Sequence, residues 1–254
     1  MTKEINSGNI RLYIEDSYDD MSARAADVFC RVLKSKPHGV YGFATGGTPV
    51  GLYRELIKLY QRDEIDFSNI TTFNLDEYYP IKKDNDQSYD YFMKMNLFNH
   101  VNVKGGNLNI PNGEAVNPNE ECIRYEEKIM NAGGIDLQIL GIGENGHIGF
   151  NEPSDRFTRA TNHVALTEST ISANARFFAS MADVPKHALT MGIKTIMQAG
   201  KILLLGNSEK KSWILNRALF GDISPEVPAS ALQLHPDVTV VMDNAAAGSL
   251  RNCL

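Results

Sequence analysis

The sequence alternates short apolar runs with stretches of helical periodicity, and this alternation constrains the fold more than any other feature. The apolar runs that we interpret as strands are Ile10 to Ile14, Val40 to Ala44, Ile70 to Leu75, Leu137 to Leu140, Ile202 to Leu205 and Val238 to Met242. Apolar side chains recur at helical spacing at Val50, Tyr53, Leu56, Ile57 and Tyr60, and again at Tyr89, Phe92, Met93, Leu97 and Val101. Strands that alternate with helices predict an α/β fold, with a mostly parallel open sheet that carries helices on both faces.

The length of the chain bounds the number of domains. It has 254 residues, of which 43% are hydrophobic, and this suits one large globular domain or two small ones. The sequence contains no internal repeat, no low-complexity tract and no obvious linker. We therefore expect a single domain over residues 1–254.

Charge and cysteine usage argue against several classes of partner. Lys and Arg number 25 against 31 Asp and Glu, and no basic run stands out, so neither nucleic acid nor an anionic membrane is an expected partner. Cys30, Cys122 and Cys253 lie too far apart for a disulfide framework or a zinc knuckle. The sequence also lacks a signal peptide and an apolar stretch of the ~18 residues that a spanning helix needs. We expect a soluble, cytoplasmic protein.

Polar and glycine-rich segments follow the predicted strands at the points where those strands end. These segments are 45–49, 76–78, 141–153 and 207–211. If the strands are parallel, all four segments open on the same edge of the sheet, which is where open α/β sheets bind ligands. The sequence therefore places its candidate site at that edge.

The segment Thr45 to Pro49 combines two glycines with a hydroxyl suited to N-capping and a proline suited to the first helical turn. Exposed backbone N–H groups at a helix start attract an anion, although an ordinary strand-to-helix turn has the same residues. A phosphate also needs cations, and the candidates are Lys210, Lys211 and Arg176. Each of these basic residues taken alone is more typical of a solvated surface, and only their co-location would favour a phosphate site.

The segment Gly141 to Pro153 follows a strand and joins four glycines to His147 and Glu152, which is typical of a catalytic loop. The spacing of His147 and Glu152 excludes a His-Glu-x-x-His zinc motif, but a carboxylate partner in the same loop would fix the tautomer of the imidazole. A lone histidine is more often structural, and the surrounding glycines favour catalysis. We assign no role to the remaining histidines, which are His38, His100, His163, His187 and His235.

Asp76 and Glu77 follow a strand directly, so that one side chain can face the sheet edge while its neighbour faces away. A carboxylate at the edge would serve as a general base, and a helix cap or a surface acid is an equally good interpretation. The nearby tyrosines line a sugar pocket or pack against each other, with packing favoured for most of them, and they are Tyr78, Tyr79, Tyr89 and Tyr91.

The chain resembles the glucosamine-6-phosphate deaminase family, within the wider group of sugar-phosphate isomerase-like enzymes. The similarity runs from about Val40 to Asp243. The segments that carry it are Ala44 to Pro49, Phe73 to Tyr78, Gly141 to Pro153, Asn174 to Phe178, Ala188 to Gly192 and Leu232 to Pro236. The resemblance implies a modified Rossmann-like, three-layer fold and a cytoplasmic enzyme of amino-sugar metabolism. It also implies a small-molecule amino-sugar phosphate as the partner, in a monomer or a homo-oligomer.

The same resemblance implies an activity and a set of site residues. The reaction would convert glucosamine 6-phosphate and water to fructose 6-phosphate and ammonia, with no metal and no organic cofactor. Asp76 would move a proton from C2 to C1, and His147, oriented by Glu152, would open the sugar ring. The 6-phosphate would be held by Gly46, Gly47, Thr48, Arg176 and Lys211.

Two departures from the family pattern concern these site residues. Many members have an aspartate two residues before the loop histidine, and this chain has Asn145, so we expect the His147 relay to depend on Glu152 alone, with activity retained. The phosphate lysine of the family matches Lys211 best, and the adjacent Lys210 leaves the register open by one residue.

A third departure lies in a mobile lid that the resemblance implies around residues 153–185. Allosteric members have basic residues in this lid for an activating sugar phosphate, and this chain has Asn162 and Val164 at those positions. We predict that N-acetylglucosamine 6-phosphate does not activate the enzyme. Substrate saturation curves recorded with and without this effector would coincide, and a clear rise in apparent substrate affinity would contradict the prediction.

Three alternative functions remain open from the sequence. A 6-phosphogluconolactonase has the same Gly-x-x-Gly-His core, although Phe150 to Pro153 resembles the deaminase version. A sugar-phosphate sensor that binds without turnover would come with a DNA-binding helix-turn-helix and a basic surface, neither of which the sequence indicates. A deaminase of another amino-sugar phosphate would fit the altered lid and Tyr79 to Ile81. An Asp76→Asn substitution would be nearly silent in the lactonase and close to lethal in a deaminase.

Overall fold

The computed structural model describes residues 3–175, 178, 180–248 and 250. Its strands are β1 (Lys3–Ser7), β2 (Ile10–Glu15), β3 (Val40–Phe43), β4 (Thr71–Asn74), β5 (Asp76–Tyr79), β6 (Leu108–Asn109), β7 (Leu137–Gly141), β8 (Asn162–Ala165), β9 (His187–Thr190), β10 (Ile202–Gly206) and β11 (Val238–Asp243). Its α-helices are α1 (Tyr18–Ser35), α2 (Val50–Gln61), α3 (Tyr89–Asn96), α4 (Pro118–Asn131), α5 (Glu168–Asn174), α6 (Ile193–Met197) and α7 (Ser212–Phe220).

The main sheet has eight strands in the order β1-β2-β11-β10-β7-β3-β4-β6, with helices packed around it. Every pairing in it is parallel except that of β1 with β2, which join through a tight turn at Gly8. The predicted α/β fold with a mostly parallel sheet is therefore confirmed, and each apolar run interpreted as a strand overlaps a strand of this sheet. None of the described helices is both long and apolar enough to span a bilayer.

The central strands are almost entirely buried, which explains their largely apolar sequences. All residues of β10 and β11 are buried, as expected for parallel strands with both faces covered. Helix α1 packs against this sheet through one apolar face, and the Ser17 side chain caps it by accepting the Asp20 N–H at 3.1 Å. This packing forms the main core, and it leaves the carboxyl ends of the strands to carry the polar segments.

A second, antiparallel sheet of three strands lies beside the main one, in the order β5-β9-β8. The polar segment 76–78 does not simply follow a strand as the sequence indicated, because Asp76–Tyr79 itself forms β5 and pairs with β9. The chain changes sheets at Leu75, whose N–H donates to Phe43 of the main sheet while its carbonyl accepts the Met191 N–H. Asp76 is therefore held on a strand at the junction of the two sheets.

The helix predicted around residue 89 ends earlier than its apolar spacing indicates. Helix α3 stops at Asn96, because Leu97 leaves the helical region with φ −148° and ψ −60°. A short 3-10 turn at 98–100 follows, so Leu97 and Val101 are not on one continuous helix. Both side chains still pack into or against the main core, which accounts for the apolar spacing.

Candidate active site

The Asp76 carboxyl group lies against the backbone of the His147 loop. Asp76 is 5% exposed, and its Oδ2 lies 3.4 Å from the place where a Cβ on residue 149 would be. Gly149 has φ +59°, a conformation that favours glycine, and the missing side chain lets the carboxyl group approach the loop. The predicted convergence of Asp76 with the segment Gly141 to Pro153 is present in the structure.

Glu77 faces the opposite way, as expected for adjacent residues of a strand. Its carboxylate accepts the backbone N–H groups of Tyr89 at 2.8 Å and of Asp90 at 2.9 Å, which are the first two residues of α3. These N–H groups have no partner within their own helix, so Glu77 satisfies them and its charge stabilises the positive helix end. The helix-cap interpretation therefore applies to Glu77, and Asp76 is left at the edge.

Burial changes the acidity of Asp76. Loss of water contact, and next the charge of the neighbouring Glu77, raise the pKa of Asp76 to about 8. A carboxyl group with a pKa near neutrality both releases and accepts a proton readily at physiological pH. This environment suits an acid/base group better than a structural ion pair.

The His147 imidazole occupies space that only a glycine at residue 143 leaves open. The Gly143 N–H donates to the His147 carbonyl at 2.9 Å, which closes the loop. A Cβ on residue 143 would lie 2.3 Å from the imidazole Cε1 atom. The His147 Nδ1 lies 3.5 Å from Glu152 Oε1, so the two side chains predicted to converge do so.

Glu152 is held by two further side chains. Asn145 Nδ2 donates to Glu152 Oε2 at 2.6 Å, and Thr170 Oγ1 donates to Glu152 Oε1 at 2.5 Å. Burial alone would raise the pKa of Glu152, but the nearby His147 imidazole, with the hydrogen bonds from Thr170 and Asn145, lowers it to about 2. The carboxylate therefore stays ionised beside the imidazole, and Asn145 and Thr170 hold it there through their side chains. Nothing in the sequence connects Thr170, on α5, with this pair.

The glycine turn at the start of α2, where the sequence predicts an anion site, is exposed. Gly46 has φ +94°, both Gly46 and Gly47 are exposed, and a Cβ at either would meet no described atom within 4 Å. Thr48 does not cap the helix, contrary to its sequence pattern, because its hydroxyl donates to Asn207 Oδ1 at 2.6 Å instead. This bond joins the turn after β3 to the segment after β10.

The two lysines after β10 differ in their surroundings. Lys210 is exposed, whereas Lys211 is partly buried. Burial lowers the pKa of Lys211, while the charge of Glu144, in the His147 loop, opposes that change. Lys211 therefore lies near the His147 loop, and Lys210 faces solvent. Arg176 lies outside the described residues.

Tyr89 connects the anion turn with the Asp76 carboxyl group. Burial raises the pKa of Tyr89, and the charges of Tyr78 and Asp76 add to this effect, while a hydrogen bond with Thr45 opposes it. The Tyr89 ring also stacks on Phe150 of the His147 loop, with ring centroids 5.9 Å apart. The glycine turn, the carboxyl group and the imidazole loop thus meet at one edge of the main sheet, around tyrosines that mostly pack.

Comparison with known proteins places the chain in a family. The family model described as glucosamine-6-phosphate isomerases/6-phosphogluconolactonase matches residues 16–241. The chain belongs to this family. Among members of this isomerase and lactonase family, a glucosamine-6-phosphate deaminase of Clostridioides difficile (strain 630) is 54% identical over 95% of this chain and 97% of its own length. Another, from Thermoanaerobacter pseudethanolicus, is 52% identical over 94% of each chain.

Solved structures of the family show the same fold. A monomeric glucosamine-6-phosphate deaminase superposes with a TM-score of 0.91 at 47% identity, covering 94% of this chain and 99% of its own. A 6-phosphogluconolactonase from Thermotoga maritima gives a TM-score of 0.73 at 21% identity, covering 94% of this chain and 100% of its own. At that identity the lactonase shares the fold and carries no argument about the reaction.

Proposed function

We propose that the protein is a glucosamine-6-phosphate deaminase, which converts glucosamine 6-phosphate and water to fructose 6-phosphate and ammonia. The observation that carries this proposal is the buried Asp76 carboxyl group, packed on the backbone two residues after His147 at the edge that holds the glycine turn. The names of the relatives with about half of their residues identical support the same activity. A lactonase opens an ester and has no need of a base at C2.

The proposed chemistry begins with ring opening and continues with a proton transfer. His147, held by the ionised Glu152, moves a proton from the C1 hydroxyl to the ring oxygen, which gives the open-chain aldehyde. Asp76 then removes the C2 proton while a proton moves from the C2 ammonium group to O1, which forms an enolamine, and Asp76 returns the first proton to C1. C2 becomes an imine, water adds to it, and the C–N bond breaks to release ammonia and the ketose.

The substrate itself helps Asp76 to act as a base. Its C2 carries an ammonium group, next to the proton that is removed. A positive charge close to a carboxyl group favours the ionised form, so bound substrate lowers the raised pKa of Asp76 towards the working pH. This proposed mechanism uses only side chains of the protein, and we propose that it needs no metal and no organic cofactor.

The 6-phosphate end supplies the binding energy that positions the reacting carbons. We propose that it is held by the backbone at Gly46, Gly47 and Thr48, by Lys211 and by Arg176. The open glycine turn at the start of α2 and the partly buried Lys211 support this assignment. Contacts at the remote phosphate fix C1 and C2 against the carboxyl group, where orientation has its largest effect on rate.

One assay tests the proposed function. Purified protein is incubated with glucosamine 6-phosphate, and released ammonia and fructose 6-phosphate are quantified in the same sample. Equal amounts of both are expected. Ammonia without the ketose would overturn the coupled isomerisation, and neither product together with hydrolysis of 6-phosphogluconolactone would assign the lactonase reaction instead. Binding of the sugar phosphate without any turnover would indicate a sensor.

The two lysines after β10 provide a matched pair of variants. We predict that Lys211→Ala raises the KM for glucosamine 6-phosphate by roughly 10- to 100-fold, the usual cost of losing a hydrogen bond to a charged group. Lys210→Ala removes the same charge from an exposed position and should change KM less than about twofold. Steady-state kinetics at fixed ionic strength measure both, and equal effects would contradict the choice of Lys211.

We propose one domain for the whole chain and a lid over residues 153–185, which contains β8 and α5. The hydrogen bond from Thr170 on α5 to Glu152 supports the lid, because it ties this segment to the carboxylate that holds the imidazole. Movement of α5 would therefore displace Glu152 and change the position of the His147 ring.

A further inference from the structure

Tyr18, at the start of α1, is connected to the glycine turn and to α2 by hydrogen bonds of its side-chain hydroxyl. Its hydroxyl lies 3.1 Å from the carbonyl oxygens of both Gly47 and Thr48, to which it donates. The same oxygen accepts the Gly51 N–H at 2.8 Å. One phenol group thus bridges the turn and the first turn of α2.

The close approach of α1 to α2 at this point depends on Gly51. A Cβ on residue 51 would lie 2.1 Å from Ser22 Oγ and 2.9 Å from Cε1 of the Tyr18 ring. Ser22 Oγ in turn donates to the Tyr18 carbonyl at 2.8 Å, which holds the first turn of α1 in place. The tyrosine is therefore fixed from both sides, as a residue that orients another group must be.

Helix α2 otherwise begins without a side-chain cap among the described residues. An N-terminal helix N–H normally bonds a nearby Ser, Thr, Asp or Asn side chain. Here the phenol oxygen of a residue more than thirty positions earlier accepts one of these N–H groups, and the Thr48 hydroxyl is free to reach Asn207. The cap comes from another helix, so it also fixes where α2 begins relative to α1.

Planarity of the peptide bond gives this contact a directional consequence. In a trans peptide the C=O and the following N–H point in opposite directions. Because Tyr18 binds the Gly47 carbonyl, the Thr48 N–H of the same peptide is directed away from Tyr18. Pro49 has no N–H, so Thr48 supplies the last backbone donor of the turn before α2.

We propose that Tyr18 is a positioning residue for phosphate binding, which acts by orienting the Gly47–Thr48 peptide and the first turn of α2. This inference rests on the proposed function for its substrate. Tyr18 itself touches the backbone of the turn and needs no contact with the sugar. Its loss should weaken binding of the phosphate end and leave the proton transfers at C1 and C2 intact.

The test compares Tyr18→Phe with Tyr41→Phe. Both remove a phenol hydroxyl that donates to a backbone carbonyl, since Tyr41 bonds Lys36 at 2.8 Å at the far end of β3. We expect Tyr18→Phe to raise the KM for glucosamine 6-phosphate roughly 3- to 10-fold with kcat within about twofold. The inhibition constant of inorganic phosphate should rise by the same factor. Tyr41→Phe should lower the melting temperature without changing either constant.

A second measurement keeps the outcome independent of catalysis and of folding. The rise in melting temperature that saturating inorganic phosphate gives should be smaller for Tyr18→Phe than for wild type and Tyr41→Phe. An unchanged phosphate inhibition constant in folded Tyr18→Phe, or a fall in kcat alone, would overturn the role of Tyr18. Failure of the proposed function would give a different result: wild-type protein would bind phosphate but release no ammonia from glucosamine 6-phosphate.

Discussion

Replacement of Asp76 by asparagine should lower kcat by about 10²- to 10⁴-fold and at the same time make the folded protein more stable. The loss of rate follows from removing the proposed general base, whose contribution in enzymes lies in that range. The gain in stability follows because the carboxyl group is 5% exposed, and burial together with the charge of Glu77 raises its pKa to about 8. An ionised group in this place costs folding free energy that a neutral amide does not.

The stability difference between wild type and Asp76→Asn should depend on pH with a defined sign. The folded-state pKa of Asp76, about 8, lies above its ordinary value of 3.8, so the folded protein holds this proton more tightly than the unfolded chain does. Wild type should therefore lose stability relative to the variant as the pH rises from about 4 to about 8, by an amount on the order of a few kcal/mol. Urea unfolding across this range measures it, and a difference that does not change with pH would contradict the buried carboxyl group.

Asp66→Asn is the matched control for this substitution. Asp66 lies in an exposed turn, where it accepts the Ser68 N–H at 3.0 Å and the Asn102 side chain at 2.6 Å. The Ser68 hydroxyl also donates to Asp66, and this bond has the largest effect in lowering the pKa of Asp66. Replacement of Asp66 by asparagine should therefore slightly destabilise the protein and leave kcat unchanged. If both variants lost activity equally, the effect of Asp76→Asn would not be that of a missing base.

The strands that the sequence predicts correctly share one physical property. Strands such as β10 and β11 are covered on both faces, so most of their positions are apolar and the pattern is visible in a short window. The strands that were missed carry no such pattern, because β1 lies at the sheet edge and β6 has only two residues. Their pairing depends on neighbours rather than on their own side chains.

The contacts at the site likewise fall into local ones, which the sequence predicts, and distant ones, which it does not. His147 and Glu152 share one glycine-rich loop, so their pairing follows from the sequence of that loop. The pairing of β5 with β9 joins residues far apart in the chain, and no local pattern indicated that Asp76 belongs to a second sheet. The bonds from Thr170 to Glu152 and from Thr48 to Asn207 are equally non-local. A single sequence therefore predicted that these residues converge at one edge of the sheet and left most of their partners open.

Gly143→Ala should lower kcat/KM by about 100-fold or more with little change in stability, because the added Cβ would lie 2.3 Å from the imidazole Cε1 of His147. The backbone at residue 143 is not in the left-handed region, so the movable ring yields and loses its position beside Glu152. Gly141→Ala is the matched control, since a Cβ there meets no described atom within 4 Å. Steady-state kinetics and melting temperatures of both variants, repeated in a His147→Ala background, complete a double-mutant cycle. In the His147→Ala background, Gly143→Ala should lower kcat/KM almost no further. An equally large fall in kcat/KM in that background would show that residue 143 does not act through the His147 ring.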